Sequence, residues 1–146
     1  MKKISVYLSL IFSIFSLSSC NILNYQVGDN IGELYRDFHN KESFFSYCGY
    51  MFFEHKSKNI VAFANKLDGL IEEIKIYDIP HVEDKDFEKI DEGMSVFDVV
   101  EIVGIPCDSG ATSGIMSMIF KTSKGNPYVV FFNYNSLDQM VVGYVR

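Results

Sequence analysis

Three histidines, two cysteines deep in the chain and one hydroxyl-rich stretch are the residues whose chemistry could build an active site. His39 falls near an expected helix end, His55 near a hairpin turn and His81 in a proline-headed connection. None has a nucleophile or an acid at a motif spacing, so a surface role is read for each in preference to catalysis. Asp108-Ser109-Gly110-Ala111-Thr112-Ser113-Gly114 combines hydroxyls and glycine in the order of neither a nucleophile elbow nor a phosphate-binding loop, and reads as a flexible loop. Glu72-Glu73 and Asp91-Glu92 are adjacent in sequence, which points their side chains apart and makes no matched acid–base pair. A CxxC or a Cys/His set at metal spacing is absent, so redox catalysis and structural zinc are unsupported. No catalytic residue, metal or small-molecule cofactor is expected. Cys48 and Cys107 keep two readings: a disulfide closing a long loop, contributing a few kcal/mol in the chain-entropy model, or two small buried apolar residues.

The one cysteine with chemistry written around it is Cys20. Met1-Lys2-Lys3, an apolar run from Ile4 to Phe15 and Ser16-Leu17-Ser18-Ser19 make a secretory signal over residues 1–19, too short for an ordinary membrane-spanning helix. Leu17-Ser18-Ser19-Cys20 matches the bacterial lipoprotein signal, in which small residues fit the peptidase and the thiol receives a diacylglycerol. A plain secretory signal with an incidental cysteine is the alternative. Three acyl chains would anchor the protein stably, since each buried methylene adds about 0.8 kcal/mol. Removing residues 1–19 takes Lys2 and Lys3 from 13 basic residues and nothing from 19 acidic ones, leaving 11 against 19, a formal charge of −8. An acidic chain without a basic patch argues against nucleic acid and against extra electrostatic binding to anionic lipid.

The elements that must position any site are read from periodicity and caps. Residues 20–26 form a lipidated tether. In residues 93–106, Ser95 caps a helix with Asp98 as its capping-box partner, Val96, Val99, Val100 and Val103 form a buried stripe, and Gly104 and Pro106 end it. Residues 27–38 echo this 65 positions earlier, with Asn30 as cap, Glu33 as its partner, and Ile31, Leu34, Tyr35 and Phe38 as the stripe. Three strands follow each helix: from Met51 or Met118, from Ile60 or Tyr128, and from Leu70 or Met140, with a turn at 135–138 before the last. Met51 is aligned with Met118. The chain is thus divided into repeat 1 (27–79), a charged linker (80–86) and repeat 2 (87–146). The acidic run in and after the linker reads as solvated surface or an anionic docking patch, with calcium the weaker option because the spacing is not an EF-hand's.

Both alternating sets in residues 47–53 and 128–132 are largely apolar, whereas a sheet covered by helices on one face should be polar on the other. The second face would carry Tyr50, Phe52, Ile119, Val129 and Phe131, an aromatic patch of the kind that binds proteins. The alternative is a sheet sandwiched over its own core.

Gly93-Met94-Ser95 with Gly104-Ile105-Pro106 resembles the cap and exit of the SmpA/OmlA (BamE-type) lipoproteins over about residues 87–146. The resemblance implies a short helix followed by a three-stranded antiparallel sheet. Two tandem copies resemble the β-lactamase inhibitory protein fold, which implies a long concave sheet gripping a partner. The first copy exits at His39-Asn40-Lys41 and lacks the Gly-x-Pro. The expected protein is α+β, two helix-plus-three-strand repeats with the helices on one sheet face. It is lipid-anchored in the bacterial envelope, at the outer membrane facing the periplasm, and binds a protein partner there. An accessory lipoprotein of an outer-membrane complex is the first reading. An inhibitor or immunity lipoprotein blocking a periplasmic enzyme or toxin is the second, and a hydrolase with an unrecognised site the third.

Overall fold

A computed structural model of the protein describes residues 23–41, 43–133 and 141–146. The signal at 1–19, Cys20, the start of the tether, the turn at 135–138 and the strand start at Met140 lie outside the described residues. Among the described residues no helix is long and apolar enough to cross a membrane.

The fold is α+β. Helix α1 (Ile31–Phe38) is followed by β1 (Phe44–Tyr47), β2 (Tyr50–His55), β3 (Lys58–Ala64) and β4 (Ile71–Asp78). A short 3-10 helix (Asp84–Lys89) leads to α2 (Val96–Val103), β5 (Asp108–Thr112), β6 (Ile115–Lys121), β7 (Pro127–Asn133) and β8 (Val141–Val145). The strands make two separate antiparallel meanders, β1-β2-β3-β4 and β5-β6-β7-β8, called here sheet 1 and sheet 2.

Each half therefore has four strands where three were expected, and the added strand is the one directly after the helix. Asp108–Thr112 is β5 and not a flexible loop. Its pairing is imposed by the two-residue turn Ser113-Gly114, whose φ values of 45° and 82° suit the type I′ geometry that follows the twist of a hairpin. Cys48-Gly49, at 48° and 87°, makes the corresponding turn 65 residues earlier between β1 and β2. The constant offset aligns Met51 with Met116 and not with Met118. Met51 and Met116 are both buried on the face that each half turns toward its own helix.

The helices begin and end on local chemistry. Ser95 Oγ accepts the Asp98 N–H at 3.2 Å while Asp98 accepts the Ser95 N–H at 2.8 Å, a closed capping box. The Asn30 side chain accepts the Gly32 N–H at 2.8 Å, but Glu33 turns away from the cap and sits 3.6 Å from Arg36. Gly104 ends α2 with its N–H donated to the Val100 carbonyl at 2.9 Å. His39 ends α1 in the same way on Tyr35 at 2.8 Å.

The elements stack in the order α1, sheet 1, α2, sheet 2. In the first core Leu34 and Phe38 of α1 meet Met51, Phe53, Ile60, Ala62 and Ile71, with the Phe38 and Phe53 rings stacked at 4.3 Å. The second core is larger because α2 is apolar on two sides. Val96, Val99, Val100 and Val103 share it with Met116, Met118, Phe120, Val130 and Phe132 of sheet 2 and with Tyr50, Phe52 and Val61 from the far face of sheet 1. The helices consequently do not lie on one face of a continuous concave sheet. Sheet 1 is covered on both faces, and the two sheets are held apart by α2.

The stretch expected as a linker, together with the start of the second repeat, is docked on the second core. Val82, Phe87 and Ile90 are buried, Phe87 stacks on Tyr128 at 3.9 Å, and Val82 and Ser123 exchange hydrogen bonds at 2.9 and 3.0 Å. Its apolar residues point in, Asp86 is buried with them, and Glu83, Lys85, Glu88 and Lys89 are exposed.

Candidate protein-binding face

Strand alternation sends Met116, Met118, Phe120, Tyr128, Val130 and Phe132 inward onto α2, so the intervening residues of sheet 2 face outward. Across the sheet the register aligns Gly110, Ser117, Phe131 and Gly143 in one row and Asp108, Ile119, Val129 and Val145 in the next. Thr112, Ile115 and Asn133 form a third row, with Lys121 and Pro127 at the far end. The middle of this outer face is apolar: Ile119, Val129 and Phe131 are half-buried by one another, while Ile115 and Val145 are 37 % and 51 % exposed. None of the five belongs to either buried core. The charged residues of these rows, Asp108 and Lys121, share one corner, Lys121 two residues beyond the partner of Asp108.

The five residues expected on one face divide between two places. Ile119, Val129 and Phe131 come together on the outer face of sheet 2. Tyr50 and Phe52, 4 % and 0 % exposed, are core and cannot meet a partner. They occupy the far face of sheet 1, where α2 from the other half covers them and the Phe97 ring meets Tyr50 edge-on at 5.7 Å. The two-sided apolar pattern is therefore a sandwiched sheet in the first half and, in the second, a face that no described residue covers. Ile115 and Val145 complete the face unannounced. Ile115 joins by the alternating burial of β6, and Val145 by its pairing with Val129 across β7 and β8.

The residues considered for chemistry are scattered. His39 Nδ1 lies 3.1 Å from the Tyr35 carbonyl and its ring stacks on Tyr35 at 4.9 Å, so it closes a helix end. His55 ends β2 opposite Lys58, and His81 is exposed in the docked connection. Glu72 and Glu73 part as expected: Glu72 accepts from Asn65 Nδ2 at 3.0 Å, and Glu73 pairs with Lys75 at 3.1 Å, whose ammonium also lies 4.5 Å over the Phe97 ring. Cys48 and Cys107 are free thiols. Cys48 packs at the edge of the second core in the β1–β2 turn. Cys107 is exposed, with its thiol 3.3 Å from the Ile119 carbonyl. Among the described residues no group of histidine, cysteine and carboxylate side chains is placed to hold a metal ion.

The polar interactions of the acidic run serve the fold. Asp84 accepts the Tyr128 hydroxyl at 2.9 Å and Asn126 Nδ2 at 3.2 Å, with Arg146 3.8 Å away. Those two hydrogen bonds hold its carboxyl below the ordinary aspartate range. The Lys89 ammonium at 2.7 Å, followed by the Glu83 N–H, does the same for Asp86. Burial, then the nearby Glu101, Asp98 and Glu73 carboxylates, push the Tyr77 hydroxyl well above its ordinary value. Tyr25 donates to Asp37 and is pushed up to about 12, first by that hydrogen bond, which ties the segment before α1 onto the helix.

Compared with known proteins, the chain matches no family model and no curated protein.

Proposed function

We propose that the protein is a lipid-anchored component of the bacterial cell envelope, held at the outer membrane by Cys20 and acting by protein–protein contact through the outer face of sheet 2. The observation that carries this reading is the apolar centre formed by Ile115, Ile119, Val129, Phe131 and Val145, which no other described residue covers. Exposed apolar patches rimmed by polar residues mark interaction sites in soluble domains. The lipid anchor is supported by the Leu17-Ser18-Ser19-Cys20 string. No reacting group is needed for such a role.

We also read the two halves as tandem copies of one unit of the SmpA/OmlA kind, on the strength of the constant 65-residue offset from α1 to α2 and from Gly49 to Gly114. An accessory role in an outer-membrane complex follows from that likeness. The competing role, occlusion of a periplasmic enzyme or toxin, would use the same face, on one four-stranded sheet and not on a sheet continuous through both halves. Affinity purification of the lipidated chain from its own envelope separates the two. A membrane complex co-purifying through Phe131 supports the accessory role, a one-to-one complex with a soluble enzyme supports the inhibitor, and no stoichiometric partner contradicts both. For the anchor, Cys20→Ser should move the protein from the membrane to the soluble fraction.

A further inference from the structure

The two sheets have corresponding far faces, and among the described residues only that of sheet 1 is covered. At the 65-residue offset, Tyr50 and Phe52 correspond to Ile115 and Ser117, and Phe45 to Gly110. In sheet 1 that face is closed by α2, which can serve two sheets at once because Phe97 and Ile102 extend its valine stripe around the helix. The stack is finished at its other end, since α1 turns Gly32, Glu33, Arg36 and Asp37 to solvent. It is unfinished at sheet 2, where the position of the next helix is empty among the described residues.

Resting on the reading that this face binds a protein, we propose that its occupant is an apolar helix supplied by the partner, lying across sheet 2 as α2 lies across sheet 1. The shape of the face defines the helix further. Where sheet 1 presents the Phe45 and Phe52 rings, sheet 2 presents Gly110 and Ser117, and Gly143 flanks Phe131 on the other side. Phe131 therefore stands between two strips with almost no side chain. Interiors are packed to crystal-like density, so the helix that fits must bring the missing bulk itself as leucine, methionine or phenylalanine at i, i+3, i+4 and i+7. Asp108 and Lys121 stand at one corner of the face, Lys121 two residues beyond the partner of Asp108, so the charged residues of the helix belong at the end that lies there.

The test places a benzophenone amino acid at position 131 of the full-length lipidated chain, irradiates the protein in its own envelope and maps the adduct by mass spectrometry. A second probe at Arg36, on the finished end, is the control. The expected result is an adduct from position 131 and not from 36, cross-linked within a segment of apolar 3.6-residue periodicity. Ser117→Trp, which fills one strip, should reduce the adduct about tenfold, about 1.4 kcal/mol of binding, with an unchanged unfolding midpoint. An adduct on a strand or loop of another protein, or a Ser117→Trp variant that still cross-links fully, overturns the helix and leaves the binding face standing. An adduct on a second copy of this chain also overturns the helix and makes the face a dimer contact. No adduct, or an adduct on lipid, overturns the face as a protein-binding surface as well.

Discussion

Gly93 donates its N–H to the carbonyl of Val141 at 2.9 Å, and Val141 returns its own N–H to Met94 at 2.8 Å, so the first residue of the last strand is tied to the turn that starts the helix of its half. The same pair of bonds recurs in the first half, where Gly28 donates to Ile71 at 2.8 Å and Ile71 donates to Asp29 at 2.8 Å. Both glycines sit at φ values, 96° and 92°, that other residues avoid. In each half this junction links the helix start to the far edge of the meander, which sets how the helix lies on the sheet.

Gly93→Ala should cost about 1–2 kcal/mol through backbone strain alone, because nothing lies within 4 Å of the added carbon. Gly49→Ala should cost more, since its Cβ would stand 2.8 Å from the Ala64 carbonyl oxygen in addition to a φ of 87°. Urea unfolding of the two variants checks the order.

The two former members of one expected face should respond oppositely to truncation. Phe52→Ala, from a fully buried site, should destabilise the protein by about 3–5 kcal/mol. Phe131→Ala, on the outer face, should change stability by about 1 kcal/mol or less. Equal losses in thermal unfolding would place Phe131 in a core.

Acid should weaken the fold through Asp84, Asp86 and Asp98, all held below the ordinary value of 3.8 by hydrogen bonds they accept in the folded state. A folded-state pKa lowered below the unfolded one contributes stability that is full above the ordinary value and is lost as the pH falls through 3.8 into the lowered range. The urea midpoint should therefore hold from neutral pH to about pH 5 and fall below that. For Asp98 the leading cause is the Ser95 hydroxyl, so Ser95→Ala should flatten part of the acid limb and cost about 1 kcal/mol at neutral pH through the lost cap.

Much of this fold was legible where its causes are local. The capping box of Ser95 and Asp98 and the glycine exit at Gly104 lie within ten residues, and α2 runs between them as read. Strand β5 was not legible because Asp-Ser-Gly-Ala-Thr has little strand propensity; its partner β6 and the Ser113-Gly114 turn impose it. The division of the candidate face was not legible either. Whether Phe52 or Phe131 is covered depends on α2 crossing to the other half's sheet, a contact between residues some 45 positions apart that no short window contains. One trace of it was present: α2 carries Phe97 and Ile102 outside the valine stripe, more apolar surface than one sheet needs.

The thiols offer a further check. Unfolded under non-reducing conditions, the chain should show two reactive thiols besides Cys20, and in the folded protein exposed Cys107 should react before Cys48. No reactive thiol in the unfolded chain would mean that the two are bridged.

Recovery of the partner by Phe131→Asp, measured beside the unfolding midpoint of the same variant, tests the central claim most directly. A charge at the centre of the outer face should reduce the partner recovered from the envelope at least about tenfold, a loss of about 1.4 kcal/mol or more, with the midpoint unchanged. Full recovery of the partner by a folded Phe131→Asp protein would contradict the account.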